Sequence, residues 1–226
     1  MTIDDIAVNR SARPREPSAR RVLRGAGRIM SHLASRPLLI GSTALFVVCA
    51  GVFFASTAPF AIPRVESLCH QAPLDMRFTS TADQVASFLR ECGTTGRDAY
   101  QHLQVADLIY PAVFGLFMAT AIAFVLSRLA PARDSILALA ALPLVASAFD
   151  YLENVCAWLA LRAYPAPTST NALLGLASAA KNVTSWTAGS VLVGALVMLA
   201  LRAVGLRSRR LRRRRVELPS PRGIHQ

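Results

Sequence analysis

Four long apolar stretches, residues 38–58, 108–126, 136–161 and 183–201, constrain this chain more than any other feature. A helix rises 1.5 Å per residue and a bilayer core is about 30 Å thick, so each stretch is long enough to cross it. Inside lipid every backbone polar group needs a partner within the protein, which leaves helices as the fold for uninterrupted apolar runs. The pattern predicts an all-α, polytopic membrane protein, a four-transmembrane-helix bundle. Charged residues make up 17% of the chain, against roughly 25% in soluble domains. An ordinary soluble enzyme, a secreted disulfide scaffold and a disordered tail protein are thereby excluded.

The formal charge of +12 sits at the two ends. Residues 1–36 hold eight arginines against Asp4, Asp5 and Glu16, and residues 202–226 hold nine against Glu217, which leaves the intervening chain at −1. A run such as Arg209 to Arg215 could contact nucleic acid, but no aromatic residues interleave the arginines as a base-stacking platform would require. The expected partners are anionic lipid headgroups beside the spans, with no nucleic acid. By the positive-inside rule both tails, and the connection carrying Arg128 and Arg133, are expected to be cytoplasmic, and residues 59–105 and 162–182 to face outward. Three segments follow: a basic tail over 1–36, a transmembrane domain over 37–205 with its outer loop at 59–105, and an Arg-rich tail over 206–226. Arginine outnumbers lysine 24 to one, a usage that suggests a GC-rich bacterium and hence its plasma (cytoplasmic) membrane. The apolar stretch near the N-terminus is too long for a signal peptide, so a retained span is expected.

Within the outer loop, Thr79, Ser80 and Thr81 are candidate N-caps for a short helix burying Val85, Phe88 and Leu89, with Gly93 ending it. Thr94 and Thr95 restart a helix expected to run unbroken through Tyr100 into the second span. Residues 64–75, between Pro63 and Pro73, read as irregular. Pro111 and Pro143 are expected to kink or locally unwind their spans. The small residues Gly41, Ser42, Ala50 and Gly51, and Ala188, Gly189, Ser190 and Gly194, are expected to let helices approach closely. Cys69 and Cys92 share the loop and are candidates for a disulfide, the alternative being two unpaired thiols. Cys49 and Cys156 fall within spans and read as small apolar fillers.

No metal-binding, nucleotide-binding or nucleophile motif occurs. Neither a metal site nor a cofactor is expected, and no catalytic residue is assigned. What stands out is polarity near the ends of three spans. Tyr100, Asp107 and Tyr110 fall on one helical face at i, i+7 and i+10, while Asp150, Glu153 and Asn154 share another at i, i+3 and i+4. Lys181 and Asn182 open the fourth span. Counted from the basic rim, these residues lie about 25–30 Å up and can meet. Asp150, as the deepest acid, is the expected partner of Lys181, and Arg97 could fold over as a second cation.

The elements Gly-Arg-x-x-Tyr (Gly96 to Tyr100), Asp-x-x-Tyr-Pro (Asp107 to Pro111) and Phe-Asp-x-x-Glu-Asn (Phe149 to Asn154) resemble signatures of a group of small four-span bacterial membrane proteins. The likeness covers residues 78–181. It implies a four-span architecture and marks these positions as important. It attaches no activity, cofactor or substrate, and the basic tails lie outside it.

Ionisable groups at the edge of a span are functional candidates by default. Three carboxylates against one lysine suit a network that fixes helix packing, or a site for a small ligand, lipid or cation. A membrane enzyme acting on lipid or a lipid-linked substrate is the alternative, with Asp150 and Glu153 as acid and base and Lys181 as electrostatic stabiliser. Transport would need a homo-oligomer, because a four-helix monomer offers little room for a channel.

Overall fold

Each apolar stretch folds as a helix, and the chain is an all-α bundle. The structure, a computed structural model, describes residues 18–131, 133–166 and 168–216, the side chains of the last segment to 206. Nine α-helices occur among the described residues: α1 Ser18–Ser31, α2 Arg36–Ala55, α3 Ile62–Cys69, α4 Ala82–Glu91, α5 Gly93–Ala106, α6 Tyr110–Leu129, α7 Asp134–Leu137, α8 Leu142–Ala163 and α9 Ser169–Val216. Four helical segments are long and apolar enough to cross a membrane: α2, α6, the α7–α8 unit and the first 38 residues of α9.

Several boundaries differ from the sequence expectation. The helix entering the second span does not run through: α5 stops at Ala106 and α6 begins at Tyr110. Pro111 is the cause, since its ring clashes with the carbonyl four residues back, that of Asp107, and it has no N–H to donate. Pro143 acts similarly, and a 3-10 turn at Ala138–Ala141 joins α7 to α8. Residues 64–75 are not irregular throughout, because Pro63 occupies the first turn of α3, where a missing N–H costs nothing. The fourth helix starts at Ser169, so most of the expected connection at 162–182 is helical. The basic end is also ordered: α1 has its arginines on one face and docks Gly27 and Met30, while α9 continues to Val216. Residues 1–17 and 217–226, and the side chains of Arg209 to Arg215, lie outside the described residues.

Close helix approach occurs at other glycines than those expected. Beside Gly41, Gly51, Gly189 and Gly194 there is open space. A Cβ on Gly27 would instead lie 1.7 Å from the Asp134 carbonyl oxygen, and one on Gly175 1.9 Å from that of Ser80. Gly175 therefore lets the loop settle against α9. Ser42 does serve as a contact, sharing a buried 2.8 Å hydrogen bond with Thr120 on α6.

The loop helices form a cap over one end of the bundle. Thr81 and Gln84 make the expected capping box, Val85, Phe88 and Leu89 are buried, and Gly93 takes a left-handed φ of 61°. Cys69 and Cys92 are joined by a disulfide, which ties α3 to the α4–α5 junction. The cap shares one apolar core with Cys156, Ala157 and Ala160 of α8 and Leu174 of α9. A second core, around Met118, Ile122, Leu137, Ala188 and Ala195, lies toward the basic end. Between the two cores α8 and α9 bury the polar side chains of Ser147, Glu153, Asn154 and Ser178, with Asp150 and Lys181 beside them. That layer is the candidate site.

Candidate functional site

The break between α5 and α6 leaves the carbonyls of Asp107 and Leu108 without helical partners, and three side chains of α8 bond the backbone at and just beyond it. Ser147 Oγ donates to the Pro111 carbonyl at 2.6 Å and Tyr151 OH to that of Leu108 at 2.9 Å. Asn154 Nδ2 reaches the Asp107 carboxylate at 2.8 Å and approaches its carbonyl at 3.5 Å. Positions 147, 151 and 154 form one stripe on a helix. They supply the re-satisfaction that an interrupted span needs.

The neighbouring stripe of α8, Asp150 and Glu153, faces α9. Lys181 Nζ pairs with Glu153 in close contact, lies 3.4 Å from Asp150 Oδ1, and donates to the Asp75 carbonyl at 2.9 Å. Ser178 also donates to Glu153, which is 1% exposed. The expected Asp150–Lys181 pair is therefore present, but the tighter and more buried partner is Glu153. Asn182 Nδ2 donates to the carbonyls of Arg77 and Phe78, and Thr79 Oγ1 to that of Gly175. Two turns of α9, from Gly175 to Asn182, thus hold segment 75–79 of the loop over the cluster.

That segment brings in Asp75, which sequence reasoning missed. It lies in a single 3-10 turn, Leu74–Met76, too short for any helical periodicity to point to it. Four carboxylates, Asp75, Asp107, Asp150 and Glu153, now surround one ammonium group. The nearby arginines are committed elsewhere. Arg77 donates to Gln71 Oε1 at 2.6 Å and to the Ala72 carbonyl at 3.0 Å, with its guanidinium over the Phe88 ring. Arg97, expected as a second cation, bonds the Leu89 carbonyl and stacks on Tyr164, 4.4 Å from the ring centroid.

Burial dominates the electrostatics of the groups in the cap. Asp107 is 6% exposed, and desolvation followed by the charges of Asp150 and Asp75 holds its carboxyl well above the usual range, against the Asn154 amide and Lys181. Desolvation likewise raises Asp75, with Lys181 opposing. The Tyr100 hydroxyl is pushed well above the normal phenol range by burial and then by Asp75, Glu153 and Asp107, so it remains an O–H donor. Despite complete burial, that hydroxyl has no protein partner among the described residues. Asp75 Oδ1, Asn154 Oδ1 and both amide atoms of Gln104, one turn along α5 from Tyr100, share this condition.

The break in the second helix ends the single face expected for Tyr100, Asp107 and Tyr110, and the three divide by role. Tyr100 sits within the cap core, edge-on to Phe88. Asp107 belongs to the polar layer. Tyr110 is the hub of an aromatic wall, its ring 5.4 Å from Phe53, 5.9 Å from Phe54 and 6.1 Å from Phe114. Wall and polar layer meet across a cavity of about 60 Å³ lined by Phe53, Phe54, Asp75, Asp107, Tyr110 and Lys181. A second hollow of about 220 Å³ adjoins it, sharing Phe54, Asp75, Tyr110 and Lys181 and extending past Ser147 to Ser185. The hollow lies where α2, packed along α6, leaves α9 uncovered. No group of three or more His, Cys, Asp or Glu among the described residues is placed to hold a metal ion. No family model matches the chain, and comparison with curated proteins and with solved structures likewise found no match.

Proposed function

We propose that this is a multi-pass protein of a bacterial plasma membrane whose polar layer receives a small ligand, a lipid head or a cation from the outward-facing side. The arginine-rich ends hold the cytoplasmic leaflet through its anionic headgroups. One observation carries the reading: Asp75, with a buried carboxylate oxygen that has no protein partner, lines a cavity together with Asp107 and Lys181, and that cavity continues between α2 and α9. A network that served helix packing alone would satisfy its members internally, because each buried unsatisfied group costs about 1–3 kcal/mol. Acid–base chemistry by Asp150 and Glu153 has less support. Lys181 and Ser178 already occupy Glu153, and a base must be free to reach a substrate proton.

The hollow between α2 and α9 supplies the test. Ser185 lines it away from the carboxylates, so Ser185→Phe fills the entrance and leaves the cluster intact. Protein in a non-ionic detergent should gain thermal stability when a total lipid extract of its own membranes is added back, as any ligand of the folded state requires. The Ser185→Phe variant should not. Equal responses from both proteins, or from neither, would overturn the proposal.

A further inference from the structure

Resting on that reading, we propose that the ligand carries a cationic amine head, a primary or quaternary ammonium on an apolar body, seated between the Tyr110 aromatic wall and the carboxylates of Asp75 and Asp107. Three independent features converge on this chemistry. First, the layer contains four carboxylates and one ammonium, and Lys181 is already shared between Glu153, Asp150 and the Asp75 carbonyl. Asp107 holds only an amide hydrogen bond from Asn154, and Asp75 Oδ1 has no protein partner, so these two carboxylates are open to a positive charge.

Second, the opposite wall is aromatic. The rings of Phe53, Phe54 and Phe114 surround Tyr110 at centroid distances of 5.4, 5.9 and 6.1 Å. A ring face attracts an alkylammonium through its quadrupole, and facing carboxylates add charge, the combination that recognises methylated amines. Third, the cavity of about 60 Å³ suits a head of few atoms, and the adjoining hollow of about 220 Å³ passes Phe54 and Phe114 toward Ser185. An apolar chain attached to the head has that route outward between α2 and α9. An anionic head would face Asp75, Asp107 and Asp150 together, whereas a cation takes the place of the protons that burial favours on Asp75 and Asp107.

The probes are decylamine and decyltrimethylammonium, with decanol and decanoate as neutral and anionic counterparts of equal chain length. Each is titrated below its micelle concentration into detergent-solubilised protein, and the thermal midpoint is read. The chain carries a formal charge of +12, so non-specific attraction favours decanoate and works against the expected result. Both cations should stabilise the protein with apparent affinity at least tenfold above decanol, and decanoate should have no effect. Ser185→Phe should abolish the response, and Asp107→Asn should weaken it tenfold or more. Where Asp107→Asn does not fold, Asp75→Asn takes its place. Arg97→Gln, outside the cavity, should respond as wild type.

Equal stabilisation by decanol and decanoate, lost in Ser185→Phe, would overturn the charge assignment while leaving the ligand site standing. Stabilisation by added native lipid with none from either amine would do the same. Amine binding unchanged in both Ser185→Phe and the aspartate variant would place the probe elsewhere and overturn the inference.

Discussion

Replacing Lys181 by methionine removes the cation that, among the described residues, pairs with the carboxylates of the polar layer, and the consequences are set by what it touches. Glu153 is 1% exposed and keeps only the Ser178 hydroxyl, while Asp150, with a side chain 14% exposed, lines the open hollow. Breaking one side of a buried pair typically costs about 3–5 kcal/mol, whereas removing both sides approaches neutrality. Lys181→Met is therefore expected to lose about 3–5 kcal/mol. Adding Glu153→Gln should recover most of it, leaving a loss of about 1–3 kcal/mol for the carbonyl and carboxylate that still lack a donor. Asp150→Asn on the same background should recover less, because the more buried charge stays unpaired. Equilibrium unfolding in mixed micelles, followed by circular dichroism, gives the four corners of each cycle. Losses that add, in both cycles, would refute the reasoning, since residues that meet cannot be independent. A larger rescue by Asp150→Asn than by Glu153→Gln would refute the assignment of the dominant partner.

Removing the Cys69–Cys92 link by a double alanine substitution frees α3 from the α4–α5 junction, and the chain-entropy estimate for a loop of this span gives a loss of about 3 kcal/mol; equal unfolding midpoints with and without reductant would contradict it. Asp107 takes up its proton more readily folded than unfolded, so the folded chain binds more protons between the unfolded value near 4 and the raised folded value. Its contribution is fully present below about pH 4 and is lost as pH rises through the folded value; Asp107→Asn should flatten that slope in unfolding measured across pH, and an unchanged slope would exclude Asp107 as its source. Cysteine introduced at Gln84 should react with an impermeant maleimide added outside cells, and at Pro131 only after lysis; the reverse pattern would invert the topology.

The architecture was open to sequence reasoning because lipid imposes one strong rule, and four uninterrupted apolar runs obey it. The site was legible where helical periodicity applied. Asp150 and Glu153 lie on α8 as their spacing requires and Lys181 meets them from α9, while Asn154, expected on the same face, turns along the neighbouring stripe to Asp107. Periodicity failed where a proline reset it: Pro111 ended α5 at Ala106, so Asp107 meets α8 through a turn rather than a continuous face. It had nothing to say about Asp75, which sits in a short 3-10 turn held in place by Lys181, Asn182 and Gly175 of α9, distant in sequence. The reach of Arg97 was equally invisible, since the Tyr164 ring that captures it belongs to the far end of α8.

Native mass spectrometry of the protein drawn directly from its own membranes tests the ligand-binding claim most directly. The wild-type protein should carry a non-covalent adduct of one small molecule or lipid, retained at collision energies that strip detergent. Ser185→Phe, with the hollow between α2 and α9 filled, should appear at the mass of the chain alone. A wild-type protein that appears only at its bare mass, or an adduct kept equally by Ser185→Phe, would contradict the account.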